Sequence, residues 1–141
     1  MNSNTDEISG TPTADGSFSF AVLVMDSLNP SLKELRWVTI TINPPLVIIF
    51  PTGPLPDAGM GNFYRQILLA EGGTLPRSWS ITAGALPGGL TLNASTGEIS
   101  GTAPVEKPPH KTKTYVFTVM VTDAAGATAS QETSITNQPS P

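Results

Sequence analysis

Cysteine is absent from this chain of 141 residues, histidine occurs once, and only 13% of the residues are charged. Without cysteine, the chain can form neither a disulfide nor a thiolate metal site. The net charge of −4 argues against nucleic acid as a partner, because binding to phosphates needs a basic surface. The longest apolar run, at Leu46–Phe50, is far shorter than the roughly 18 residues that a membrane-spanning helix needs, so we expect no membrane insertion.

Glycine and proline are abundant instead, and they separate segments in which side chains alternate in character. A period of two residues is clearest at Phe18–Val24 and at Tyr115–Val121, and it is typical of β-strands. A short strand is also expected around Ile8. No segment carries a helical period. The sequence therefore predicts an all-β fold, specifically an immunoglobulin-like β-sandwich with Greek-key connections.

Part of the chain is repeated. The pentapeptide at Glu7–Thr11, EISGT, recurs at Glu98–Thr102, and the pattern at Phe18–Asp26 recurs at Tyr115–Asp123. No upstream copy matches the stretch between 47 and 93. The sequence thus predicts a fragment of a tandem repeat, in which residues 1–43 are the C-terminal half of a first repeat. Residues 44–46 form a proline-rich linker, residues 47–137 form a complete repeat, and residues 138–141 form a tail.

Several motifs of the second repeat occur in one order that is specific in combination. They are Tyr64, Gly72-Gly73, Trp79-Ser80-Ile81, Leu86–Leu92, Thr96–Thr102 and Val121–Thr128. In this combination, residues 46–137 resemble the bacterial immunoglobulin-like domain family of surface and secreted proteins, which is related to dystroglycan-type cadherin-like domains. Two departures are the sequence Gly-Thr-Ala-Pro at Gly101–Pro104 and a long loop at Val105–Thr114.

The resemblance implies a spacer or adhesive module that lies beside neighbouring immunoglobulin-like repeats and has no catalytic residues. It also implies an extracellular or cell-surface location, with the export signal outside this fragment. The alternative is an accessory domain of a secreted enzyme that binds a glycan or a protein. A third hypothesis, that the chain is itself an enzyme, is the least favoured, because no nucleophile, base and orienting acid are grouped in the sequence.

The long loop is the candidate ligand-binding site. Lys107, His110, Lys111 and Lys113 give it a positive charge that could contact an acidic glycan or an anionic protein. The competing interpretation is a solvated hairpin tip, in which His110 is an ordinary exposed histidine rather than a catalytic base.

Calcium is the one cofactor that the resemblance raises, because cadherin-like relatives bind it between domains. Calcium prefers six to eight oxygen ligands, and Asp57, Glu98 and Asp123 are the nearest candidates. The sequence contains no run of acidic ligands, so no metal site is assigned. Turn formation is the alternative role for Asp123 and for its counterpart Asp26.

The half repeat carries an apolar face, which includes Ile8, Phe18, Phe20, Val22, Val24 and Ile40. Leaving six such side chains in water would forfeit roughly 9–18 kcal/mol, at about 1.5–3 kcal/mol each. This half could be disordered, could pack on the second repeat, or could pair with the same half of another chain. Self-association through residues 6–43, or exchange of this half between chains as a domain swap, is the option that we favour from sequence. Trp79, which alternates with Ile81, is expected in the core.

Overall fold

The computed structural model describes residue 2 and residues 5–140, in two compact units, Met1–Pro44 and Pro45–Pro141. Every regular element among these residues is a β-strand, as the sequence predicts. None of the described residues belongs to a helix that is long and apolar enough to cross a membrane.

The first unit is built on one β-hairpin. Strands β1 (Gly16–Met25) and β2 (Lys33–Ile42) pair antiparallel along their whole length. The strand predicted at Phe18–Val24 is confirmed. Phe20 and Val22 are half-buried and Ala21 between them is exposed, while Phe18 and Val24 on the same face as Phe20 are exposed. The carboxylate of Asp26 closes the connecting loop, because its Oδ1 accepts hydrogen bonds from the backbone N–H groups of Leu28 and Asn29, at 2.7 and 3.1 Å.

The prediction of a short strand around Ile8 is wrong. Glu7 makes an isolated bridge with Asn2, and residues 8–15 belong to no strand. The side chain of Ile8 is 50% exposed. A single strand gains its hydrogen bonds only from a neighbour, and no strand among the described residues pairs with this segment.

The second unit is a β-sandwich of nine strands. They are β3 (Val47–Phe50), β4 (Ala58–Gly59), β5 (Phe63–Ile67), β6 (Leu69–Glu71), β7 (Ser78–Gly84), β8 (Leu90–Leu92), β9 (Glu98–Thr102), β10 (Lys113–Thr122) and β11 (Thr128–Gln138). The sheets have the orders β4-β11-β10-β7, β5-β9-β8 and β3-β6. Strands β7 and β10 are neighbours although β8 and β9, which lie between them in sequence, belong to another sheet.

The core of this unit lies between the sheets. Its largest fully buried side chains include Phe117, Leu68, Ile99 and Ile135. The expectation for Trp79 is confirmed, since its side chain is only 7% exposed and belongs to the core cluster. Alternation explains the positions that lie in strands, because every second residue of a strand points to the same face of its sheet, whereas Leu68 lies between β5 and β6.

Both ends of β10–β11 differ slightly from the sequence-based boundaries. Strand β10 begins at Lys113, so this lysine belongs to the strand and not to the preceding loop. Strand β11 continues through Gln138, which pairs with Gly59, one residue into the predicted tail. Pro141 lies outside the described residues.

Candidate functional site

The basic loop is organised around Glu106, an acidic residue within it. The hydroxyl of Tyr115 donates to Oε1 of Glu106 at 2.6 Å, and the backbone oxygen of Glu106 lies 2.6 Å from Nδ1 of His110. The ammonium of Lys113 lies 4.0 Å from the same Oε1 and 4.6 Å from the centre of the Tyr115 ring. Two of the four predicted site residues, His110 and Lys113, therefore contact neighbours within the loop and at the start of β10.

The charge of Lys113 is stabilised by these neighbours. The Tyr115 hydroxyl, and then the Glu106 carboxylate, raise the pKa of the Lys113 ammonium above its usual value. Lys113 remains exposed, as do the other three predicted residues, Lys107, His110 and Lys111. Within the described residues, Lys107 and Lys111 have no ion-pair partner. They are therefore the part of the predicted site that keeps its charge available to a ligand.

A small cavity lies beside the loop. It has a volume of about 170 Å³ and is lined by Met60, Val105, His110, Pro139 and Ser140. His110 is thus the predicted site residue that borders a concave surface. The structure brings the imidazole to this cavity, while the sequence offered only its position in a proline-rich loop.

The three calcium candidates lie in separate contacts. Asp57 accepts a hydrogen bond from the side-chain amide of Gln138, and Glu98 forms an ion pair with Arg65 at 2.8 Å. Asp123 accepts hydrogen bonds from backbone N–H groups. Among the described residues, no group of three or more His, Cys, Asp or Glu side chains is placed to hold a metal ion. The suggestion that these three carboxylates share a calcium ion is not supported by their positions.

Asp123 fastens a corner of the sandwich. Its Oδ2 accepts a hydrogen bond from the backbone N–H of Thr74 at 2.8 Å, and its Oδ1 accepts those of Ala125 and Ala127 at 3.0 and 2.8 Å. The N–H of Thr74, and then those of Ala127 and Ala125, hold the pKa of this carboxyl below its usual value, although burial acts in the opposite direction. The turn-forming role expected for Asp123 is confirmed, and the bond to Thr74 adds a link between two loops.

Two larger grooves were not anticipated from the sequence. One, of about 600 Å³, is bordered by Leu69, Leu75 and Arg77, and the other, of about 450 Å³, by Phe50 and Ile67. The guanidinium of Arg77 donates to the backbone oxygens of residues 70 and 72, so it shapes the wall of the first groove. In the sequence, an apolar residue that closely follows the paired glycines of a turn could have indicated this surface. That residue is Leu75, whose side chain is exposed in the structure.

Comparisons with known proteins agree with this architecture. The family model described as "Putative Ig domain" matches residues 47–138. None of the curated proteins that were compared matches the chain. Among solved structures, extracellular cadherin domains 3–6 of protocadherin gamma B2 align with a TM-score of 0.56 and 15% identity, over 88% of this chain and 34% of that one.

Two further structures are similar. The extracellular domain of protocadherin gamma B4 aligns with a TM-score of 0.52 and 15% identity, over 88% of this chain and 22% of that one. An endo-fucoidan hydrolase of glycoside hydrolase family 107 aligns with a TM-score of 0.50 and 20% identity, over 92% of this chain and 20% of that one. The chain thus spans about a third or less of these structures, and the likeness concerns the fold alone. Because the family model covers all nine strands of the sandwich and more than half of the chain, the chain belongs to the immunoglobulin-like family described as "Putative Ig domain".

Proposed function

We propose that the chain is a non-catalytic module of a bacterial surface or secreted multidomain protein, where it acts as a spacer or adhesion domain beside neighbouring immunoglobulin-like repeats. The observation that carries the proposal is the use of polar side chains in the second unit. Asp123 joins two loops, Arg65 and Glu98 link adjacent strands, and Arg77 closes a turn. These contacts stabilise a self-contained sandwich, which is what a spacing module requires.

The extracellular cadherin domains among the similar structures support an extracellular or cell-surface location for this chain as well. Labelling of intact cells with an antibody against the module tests the location. Signal from intact cells is expected, and signal that appears only after lysis would contradict it.

An exchange experiment tests the spacer role. In the full-length protein, residues 45–141 are deleted in one variant and replaced in another by an unrelated immunoglobulin-like module of similar length. A spacer predicts that deletion impairs the function of the parent protein and that the replacement restores it. An adhesion module predicts that neither variant functions, since an unrelated module lacks the binding surface. A deletion that changes nothing would contradict both roles.

An accessory binding domain of a secreted enzyme is the second candidate. The exposed lysines 107 and 111 and the cavity beside His110 favour it, because a flexible cation beside a concave surface suits an acidic glycan or an anionic protein. One of the similar structures is a hydrolase of glycans, which supports the same alternative.

A glycan array distinguishes the two candidates. The double variant Lys107→Gln/Lys111→Gln removes the unpaired charges, and Lys33→Gln in the first unit is the matched control. Binding that is weakened by salt, lost in the double variant and kept in the control supports the accessory domain. No binding by the unmodified chain supports the spacer.

A further inference from the structure

The hairpin of the first unit has the same pairing as the terminal hairpin of the second unit. Phe20 lies opposite Val38 in β1–β2, and Phe117 lies opposite Thr133 in β10–β11. When the two phenylalanines are aligned, every pair of one ladder falls on a pair of the other. The hairpins therefore correspond in register, and they differ mainly in the length of the connecting loop.

Side-chain contacts identify the outer face of each hairpin. The hydroxyls of Ser17 and Thr41 are 3.2 Å apart in the first unit, and those of Thr114 and Thr136 are 3.1 Å apart at the corresponding positions of the second. In the second unit this pair lies on the face that points away from the core. The opposite face of β1–β2 is therefore the counterpart of a core-facing surface.

We call this opposite face the inner face of the first hairpin. Its apolar side chains are those of Phe18, Phe20, Val22, Val24, Val38, Ile40 and Ile42, and the ion pair of Glu34 and Arg36 lies on the same face at the end near the connecting loop. Phe18 and Val24 are 48% and 64% exposed, and a groove of about 300 Å³ runs between Phe18, Phe20 and Ile40 on one side and Pro12–Ala14 on the other. The segment Pro12–Ala14 thus borders only part of the inner face. In the second unit, the corresponding Phe117, Val119 and Val121 are buried.

Residues 45–92 of the second unit, its front half, supply that cover. They contain β3–β8 and contribute side chains to the same core cluster as Phe117 and Val119. The front half also provides the N–H of Thr74, which binds Oδ2 of Asp123. At the corresponding corner of the first unit, Oδ1 of Asp26 closes its loop in the same way, while no hydrogen bond from a described residue reaches its Oδ2.

The likeness continues upstream of the hairpin. The N–H of Asn2 donates to the backbone oxygen of Glu7 at 2.8 Å, as that of Asn93 donates to the oxygen of Glu98 at 2.7 Å. Gly10 has a φ of +143°, the value found at the corresponding glycine, Gly101. The segment thus keeps the local geometry of the second unit although it forms no strand of its own.

Among the described residues, the first unit lacks the two strands that flank the repeated pentapeptide in the second unit. In the second unit, the repeated pentapeptide is β9, which lies between β5 and β8 of the front half. Ile99 of β9 is fully buried, whereas Ile8 at the same place in the first unit is half exposed. A front half would bury Ile8 and pair its backbone on both sides.

We propose that the inner face of the first hairpin binds a front half of the kind that residues 45–92 form, carried on the same polypeptide ahead of the hairpin. A front half accounts for three features together. It would cover the exposed inner face, bring a hydrogen-bond donor to Oδ2 of Asp26, and pair with the backbone around Ile8. The hairpin of a second copy would cover the inner face, but it offers no pair of strands to Ile8. The inference is independent of the proposed spacer role, since it concerns how the first unit is completed.

The test joins residues 45–92 directly to residue 2 of the intact chain, because Asn2 corresponds to Asn93. Hydrogen exchange of the β1–β2 amides is compared in the extended chain and in the 141-residue chain. Protection of these amides should rise by on the order of 10³-fold, since they join a domain of ordinary stability. In the extended chain, Phe20→Ala should remove most of the gain.

The control is the same extension carrying Leu68→Asp in the added segment, which should leave the hairpin unprotected. Protection of β10–β11 reports in every sample that the second unit is folded. Three results would overturn the proposal: an extension that protects no better than its control, a monomeric 141-residue chain whose hairpin is already protected, or a dimer of that chain with a protected hairpin. The last result would assign the inner face to a second copy, as self-association through residues 6–43 predicts.

Discussion

Truncation of Phe117 should remove a large part of the stability of the second unit. Its side chain is 1% exposed and lies in the core cluster with Val119 and Ile135. Replacing a buried phenylalanine by alanine costs about 3–5 kcal/mol, because contacts are lost and the cavity only partly collapses. Domains are stable by only about 5–15 kcal/mol, so Phe117→Ala should leave a folded but fragile sandwich.

The assay is thermal unfolding followed by tryptophan fluorescence. Trp79 is buried in the same core and should report the transition, whereas Trp37 is 72% exposed and should change little. A domain of about a hundred residues loses roughly 4–8 °C in Tm per kcal/mol, so Phe117→Ala should lower the Tm by at least about 12 °C.

Phe20→Ala is the matched control, because Phe20 occupies the corresponding place in the first hairpin. Phe20 is only half-buried, and an isolated two-stranded hairpin contributes little stability. This variant should leave the transition of the second unit unchanged. The reasoning fails if Phe117→Ala lowers the stability by less than about 1 kcal/mol, or if both variants lower the Tm equally.

Four further outcomes follow from the second unit. Because the pKa of Asp123 is lowered in the folded state, its carboxylate stabilises the fold above the pKa of the unfolded carboxyl. This stabilisation is lost as pH falls through the folded pKa, so Asp123→Asn should flatten the acid side of a stability–pH curve. Burial raises the pKa of Tyr64 to about 12, so stability should fall as pH rises from about 10 to 12, and Tyr64→Phe should make that fall smaller in alkaline denaturation. Gly101→Ala adds backbone strain at a φ of +143° and places its Cβ 2.0 Å from a backbone oxygen, so it should lower the Tm of the second unit, whereas Gly10→Ala adds only the strain of the same φ, in the first unit, and should leave that Tm unchanged. Calcium or a chelator should leave the Tm unchanged in calorimetry, because the three candidate carboxylates take separate partners.

The strands that alternate over many residues could be predicted from the sequence. The alternating segments that begin at Phe18 and Tyr115 both form strands. Trp79 is buried, and Ile81 on the same face of its strand is half-buried. A period of two residues is a local property of the chain, and a sheet that is buried on one face requires it. The all-β class was recognisable for the same reason, whereas the family was recognisable from the ordered motifs between Tyr64 and Thr128.

The contacts of the candidate site could not be predicted in this way. The sequence gives no sign that Glu106 accepts a hydrogen bond from Tyr115 and approaches His110 and Lys113. Asp57 and Glu98 are both calcium candidates in the sequence, yet the fold gives each carboxylate its own partner. Such pairings depend on which strands become neighbours in space, and spacing along the chain does not reveal that.

The two copies of the pentapeptide show most clearly which features depend on the local sequence and which depend on tertiary contacts. The sequence alone specifies the local conformation, since Gly10 and Gly101 share a φ of +143° and the turn before each copy is closed by the same backbone hydrogen bond. Whether the copy becomes a strand is decided by its surroundings. Glu98–Thr102 pairs with β5 and β8 and buries Ile99, while the copy at Ile8 has no such neighbours and stays exposed. A strand draws its hydrogen bonds and its burial from other segments, so identical residues reach different structures when those segments differ.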